Sequence, residues 1–343
     1  MAERTIRALV LSGGGAKGAY EAGVVHALAR EGETFDIVVG SSAGALNATL
    51  VAQDATERLV ATWRGLAALG LLTRAPLLAG LARLPEHLLD FVFRGPASAL
   101  VRWLGVFDES GIVALVRRSA NVEAYVRSIV VTSTDITHVR PYAFYRFAGP
   151  DAAAGEAAFV ASTRARSGDL RAVPLRAANA VDAIASSAAI PVIFPPIAFD
   201  AGDGRALFVD GGVANATPIG LAIAAGADEV TVVIVDPPDA NAAKPIRSIL
   251  DVALASVDVM QRKILEDDFK LARMTNAALH AADTGLRPTT AAALAGKRLV
   301  ALRVIRPATP LAVGPLDLEN QRLIDDAIDR GLADGALPPP FER

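Results

Sequence analysis

An α/β fold with a mainly parallel central sheet follows from three observations. First, residues 7–12 place Ala8-Leu9-Val10-Leu11 in succession, apolar at neighbouring positions, as in a strand covered on both faces. Second, a glycine-rich turn and a helical stretch over residues 19–30 follow, with Tyr20, Val24, Ala27 and Leu28 on one side. Third, Ile37-Val38-Val39 makes another short apolar strand, and residues 45–53 are mostly good helix formers. This strand–helix–strand–helix order sets consecutive strands parallel and lays helices on the sheet's faces. At 343 residues, 52% of them hydrophobic, the chain has material for one large domain or two modest ones, and no linker or repeat divides it.

The later elements are read in order. Residues 61–105 change character: they are rich in Leu and Ala, and Pro76, Pro85 and Pro96 split them into short helices. Arg64, Arg74, Arg83, Arg94 and Arg102 outnumber Glu86 and Asp90 there, which suits a lid or an interfacial insertion, or else an ordinary packed layer with solvated arginines. Residues 129–134 form a strand, and 140–147 another, in a hairpin with it. Residues 151–175 are Ala/Gly/Arg-rich and weakly patterned, and read as a surface excursion. A helix over 181–189 stops at Ile190-Pro191, Pro195-Pro196 holds the chain extended, and residues 202–204 turn it. A short strand at 207–209 runs into Asp210-Gly211-Gly212. Pro218 opens a helix, residues 229–235 form a strand stopped by Pro237-Pro238, and 247–282 a long helix or helix pair. A last strand at 298–305 and a last helix at 320–333 precede a tail, Pro338-Pro339-Pro340, read as frayed.

Composition narrows the function classes. A net charge of −3 gives no support for nucleic-acid binding. The absence of cysteine excludes disulfides, thiolate metal sites and a cysteine nucleophile. The N-terminal residues lack a signal-peptide pattern, and no apolar run reaches the roughly 18 residues of a membrane span. A soluble, cytoplasmic protein is expected, with peripheral membrane contact through residues 61–105 and secretion without a cleavable signal left open.

Gly40-Ser41-Ser42-Ala43-Gly44 joins a strand to a helix with Ser42 at the apex. Flanking glycines let the chain reverse sharply and present the serine beside the positive end of a helix. The same five residues can also be a plain Gly/Ser-rich turn. Gly13-Gly14-Gly15-Ala16-Lys17-Gly18 fits a dinucleotide loop, but the acidic residue that reading needs, Asp36, comes before the second strand rather than at its end. A Walker-type loop fails because Ala19 follows Gly18. Consecutive glycine amides ahead of a helix can instead hold an anion, such as the oxyanion formed when a nucleophile attacks a carbonyl. Lys17 can add positive charge there or sit solvated at a helix start. Of the four histidines, only His280 follows Ser42 and Asp210 in the Ser–Asp–His order, and it lies within a helical stretch. Asp210 ends a strand before a Gly-Gly turn, where a carboxylate can take the serine proton directly, or where a simple turn aspartate belongs.

Taken together, the motifs Gly13-Gly14-Gly15-Ala16-Lys17-Gly18, Gly40-Ser41-Ser42-Ala43-Gly44 and Asp210-Gly211-Gly212, in that order, resemble the patatin-like phospholipase family. Ser186-Ser187-Ala188-Ala189-Ile190-Pro191 with Phe194-Pro195-Pro196 resembles the family's segment before the aspartate turn. The resemblance implies a three-layer α/β/α fold, with residues 6–222 as catalytic core and 223–343 completing the same domain. It implies a Ser–Asp dyad, with Ser42 as nucleophile in an elbow formed by Gly40 and Gly44. Asp210 becomes the base, in a turn formed by Gly211 and Gly212. The amides of Gly13, Gly14 and Gly15 become the oxyanion hole, with Lys17 as an anion-assisting residue. No metal or cofactor is implied. The expected function is a lipid acyl hydrolase acting on phospholipid or lysophospholipid esters. The alternatives are an acyltransferase on the same site, a nucleotide-dependent oxidoreductase using the 13–18 loop, and a lipid-binding protein without turnover.

Overall fold

The computed structural model describes residues 4–69, 107–166, 169–214, 218–238, 249–282 and 297–342. Among these residues, nine strands join one sheet. They are β1 (Arg7–Leu11), β2 (Ile37–Gly40), β3 (Ser128–Asp135), β4 (Arg140–Arg146), β5 (Arg171–Pro174), β6 (Ile197–Asp200), β7 (Arg205–Asp210), β8 (Glu229–Val233) and β9 (Ala301–Ile305). Seven of them run in the order β5-β4-β3-β2-β1-β8-β9. β1, β2, β3, β8 and β9 are mutually parallel where they pair, β4 is antiparallel to β3, and β6 and β7 form an antiparallel pair docked on β3.

Alternation along β1 explains the layers. Leu9 and Leu11 point into one apolar core, Ala8 and Val10 into the other. The first core is covered by α1 (Gly18–Arg30), α2 (Ala43–Ala52), α3 (Thr56–Arg64), α4 (Ser110–Ser119), α6 (Ala180–Ser187) and α9 (Gln321–Ala336). The second is covered by α5 (Ala152–Arg166), α7 (Ile219–Ala224) and α8 (Ile249–Ala282). The architecture is three-layer α/β/α, as the apolar strands predict.

Two expectations are corrected. Residues 151–175 are not a surface excursion: they supply α5 and β5, because Phe159 is fully buried against Tyr145 and Phe147. The tail is not frayed. Glu342 exchanges two backbone hydrogen bonds with Leu302 at 2.7 Å, and Arg303 lies 4.5 Å from the ring centroid of Phe341. Residues 247–282, read as a long helix or a helix pair, form one helix over the described 249–282. The proposed lid at 61–105 is described only to residue 69, with residues 61–64 in α3 and a 3₁₀ turn at Leu66–Leu69. Its prolines, and the arginines from Arg74 onward, lie outside the described residues.

The C-terminal helix α9 lies directly on α1. Gly331 packs against the Tyr20 carbonyl, Gly23 against that of Ile328, and Gly335 against that of Val24, so the two backbones approach where no Cβ intervenes. Tyr20 then donates its hydroxyl to Asp334 at 2.9 Å. In an exposed helix Gly→Ala is stabilising by up to about 1 kcal/mol. Here the sign reverses: Gly331→Ala forces the helices apart and destabilises the fold by about 1–3 kcal/mol in denaturant unfolding.

Candidate functional site

The register of β3 creates the site. Its edge facing β2 is paired only as far as Gly40↔Val131. β3 continues to Asp135, and β7 takes over the same edge in the opposite direction, from Phe208↔Asp135 to Asp210↔Ser133. The carboxyl ends of β2 and β7 therefore meet head-on along β3, two residues apart in register, which is about 7 Å at strand rise. The chain leaves β2 through Ser42 and leaves β7 through Asp210.

Ser42 sits at φ 56°, ψ −133°, a conformation that a side-chain-bearing residue adopts at a cost, and α2 begins at the next residue. A Cβ at Gly40 would overlap the Gly44 carbonyl, and one at Gly44 would overlap the Leu11 carbonyl, so the elbow's glycines are sterically required. The Ser42 amide donates to the buried Ser187 hydroxyl at 3.0 Å. Two residues on, the Ala189 carbonyl accepts the Asp210 amide at 2.9 Å. The end of α6 thus grips both loops at once.

Asp210 is fully buried. Its Oδ1 accepts the Gly212 amide at 2.7 Å, as an Asx turn requires, and Gly211 packs where a Cβ would overlap Thr132. Its Oδ2 has no conventional hydrogen-bond partner among the described residues. The Ser42 side chain nevertheless approaches closely enough to favour the ionised carboxyl. The contact falls short of a formed hydrogen bond. Burial dominates and pushes the Asp210 pKa up to about 7, with Ser42 and the Gly212 amide pulling it partly back.

The glycine loop follows β1. Gly13, Gly14 and Gly15 all have positive φ, at 80°, 122° and 62°. The Gly13 amide, one of the three expected to form an oxyanion hole, donates to Glu21 at 2.7 Å and so already has an internal acceptor. Among the described residues, the Gly14, Gly15 and Ala43 amides have no acceptor, and Gly15 borders the same cavity as Ser42. Lys17 is buried rather than solvated, and its ammonium pairs with Asp236 at 2.6 Å.

Beside Ser42 opens a largely apolar cavity. Leu46, Leu50, Leu59, Trp63, Leu115, Ile190, Phe194, Pro315, Leu316 and Leu318 line it, with Asn47, Thr62 and Ser119 among them. The Pro315 carbonyl also accepts the Ala16 amide at 2.9 Å, tying the glycine loop to the C-terminal segment.

No described histidine joins Ser42. His26 lies 3.8 Å from Glu57, and His138 is held by Asp135 at 2.8 Å. His280 is exposed on α8, one turn past Asn276, whose amide brackets Val300 at the amino end of β9. That is the sheet edge opposite Ser42. Asp36 is also at the amino edge, accepting the Arg7 amide at 3.0 Å, where it cannot reach a ribose at the glycine loop. Among the described residues, no three His, Asp or Glu side chains form a metal-ligating group, and no helix is long and apolar enough to cross a membrane.

Sequence reading missed Glu21, Asn47 and Trp63, which join the glycine loop to the cavity wall, and it did not assign Ser187 its contact with Ser42. A serine at residues 186–187 within a motif was the only available signal.

A family model for Patatin-like phospholipase matches residues 9–223. Among solved structures, the chain is similar to the crystal structure of VipD from Legionella pneumophila at 12% identity and a TM-score of 0.36, over 97% of this chain and 67% of that one. No curated protein matches it.

Ser187→Ala leaves the buried Ser42 amide without its acceptor. It is expected to cost about 1–3 kcal/mol in urea unfolding, against less than about 0.5 kcal/mol for an exposed serine such as Ser110→Ala.

Proposed function

The chain belongs to the patatin-like phospholipase family, a family of lipid acyl hydrolases, and on that premise we propose that it hydrolyses lipid esters through a dyad of Ser42 and Asp210. The observation that carries this reading is the meeting of a strained, helix-capping serine with a partnerless carboxylate oxygen beside an apolar cavity. A polar cofactor has little to bind in walls of Leu, Ile, Phe and Trp, whereas an acyl chain fills them.

In the proposed reaction Asp210 accepts the Ser42 proton as the hydroxyl oxygen bonds to the ester carbonyl carbon. The carbonyl oxygen becomes an oxyanion held by the amides of Gly14 and Gly15, with that of Ala43, the residue after the nucleophile. The carbon–oxygen bond to the alcohol then breaks, and the departing alkoxide takes the proton from Asp210. Water, losing its proton to Asp210, attacks the acyl-serine, and Ser42 leaves with that proton as the free acid departs. The phospholipid ester, rather than another acyl lipid, is the substrate class the family favours.

Ser42→Ala and Asp210→Asn are each expected to lower the kcat of p-nitrophenyl butyrate hydrolysis at least about 1,000-fold while circular dichroism stays unchanged. A fluorophosphonate probe should label wild type and not Ser42→Ala. An Asp210→Asn protein with near-normal activity removes the dyad. Because the base works only when ionised and its pKa is pushed up to about 7, activity should fall as pH drops through 7 and level off above it.

A further inference from the structure

Glu21 is wholly buried on α1, and the reaction above gives it no proton to move. Every group hydrogen-bonded to it is a donor. The Gly13 amide at 2.7 Å and the Ser12 hydroxyl at 3.4 Å meet Oε1, and the Asn47 amide nitrogen at 2.8 Å meets Oε2. Asn47 also donates to the Gly18 carbonyl at 2.9 Å and accepts the Trp63 indole N–H at 2.8 Å. Asn47 and Trp63 line the cavity, so one buried network runs from the cavity wall to the glycine loop.

The loop needs such an anchor. Three successive glycines with positive φ have no conformation imposed by their own side chains. Gly13 lies directly behind the nucleophile, where a Cβ would crowd the Ser42 Cβ. Turning the Gly13 amide inward leaves the next two amides without internal acceptors.

We propose that Glu21, as a carboxylate, is the positioning residue of the oxyanion loop: by holding the Gly13 amide it aims the Gly14 and Gly15 amides at the oxygen that develops on the acyl carbon. This rests on the hydrolase reading above. A protonated Glu21 would lose acceptor strength toward the Gly13 and Asn47 donors, with the Ser12 hydroxyl alone of its three contacts able to accept the new O–H. Burial pushes the Glu21 pKa up to about 7, with the Gly13, Asn47 and Ser12 donors only partly opposing it. Charged groups on the packed elements are engaged elsewhere. Tyr20 pairs with Asp334 on α9, His26 lies beside Glu57 on α3, and Lys17 pairs with Asp236 after β8. From α2 the group facing Glu21 is the neutral Asn47.

Glu21→Gln keeps the size but must turn an N–H toward Gly13 or Asn47. With p-nitrophenyl butyrate, kcat at pH 8 should fall about 10- to 100-fold with KM within about twofold. In wild type, the acid limb of log kcat against pH should approach a slope of two, from Glu21 and Asp210 together. In Glu21→Gln it should drop to one. A KM rise at constant kcat, an unchanged kcat, or a kcat loss that leaves the wild-type slope at one makes Glu21 structural only and overturns the proposal. If wild type shows no Ser42-dependent turnover, the hydrolase reading fails and the loop is tested alone. Hydrogen exchange at fixed pH over residues 12–18 should then be faster in Glu21→Gln, and equal exchange overturns the anchor. Should Glu21→Gln not fold, the Gly13 amide resonance of wild type decides: it should titrate near pH 7, and a pH-independent shift overturns the proposal.

Discussion

The site depends on one mismatch of strand lengths. β2 has four residues and β3 has eight, so half of one edge of β3 is left for β7 to fill from the other end. Two chain segments almost 170 positions apart are thereby aimed at each other with their loops in contact. Had β2 run the full length of β3, β7 would have no edge to pair with and its terminal aspartate no route to the serine. The backbone hydrogen bonds that build the sheet are therefore the same ones that set the distance between Ser42 and Asp210. The end of α6 then fixes orientation, one hydroxyl and one carbonyl holding the two loops.

Precision of this kind is bought with stability. Ser42 is held in a strained conformation, and two carboxyls are fully buried without a cation beside them. The sign of the electrostatic part is definite. Folding raises the pKa of Asp210 and of Glu21 from the usual carboxylate range to about 7, so between roughly pH 4 and 7 the native state binds protons that the unfolded chain has released. Stability contributed by these groups is greatest below that window and declines as pH rises through it. At a pH where Asp210 is ionised, as the proposed base must be, the fold carries the full cost, which the two apolar cores and the close seat of α9 on α1 offset.

Local signals made much of this legible. β1 and β2 are short apolar runs followed by glycine turns, and each turn's chemistry is written in adjacent residues. Ser42 and Asp210 stand out for the same reason. What stayed hidden depends on partners far along the chain. α5 has a single fully buried large side chain, Phe159, on an alanine-rich stretch, so its periodicity is faint. β5 and β6 are four residues each and owe their existence to neighbours already in place. Lys17 and the Gly13 amide looked free to serve an anion because Asp236 and Glu21, which occupy them, are invisible as partners until the helix and β8 are packed.

The same dependence ties the chain beyond residue 223 to the motif-bearing part of the molecule. The family match ends there, yet the Pro315 carbonyl holds the Ala16 amide, and a Cβ on Gly15 would overlap that carbonyl. Leu316 and Leu318 wall the cavity, and α9 locks α1, the helix that carries Glu21. The glycine loop is therefore clamped from two sides, by an internal carboxylate on one and by a distant backbone carbonyl on the other. The motifs supply the groups the proposed reaction uses, but the shape of the cavity and the course of the loop come partly from sequence that carries no motif, and under the proposed function that is where acyl-chain selectivity can diverge without touching Ser42 or Asp210.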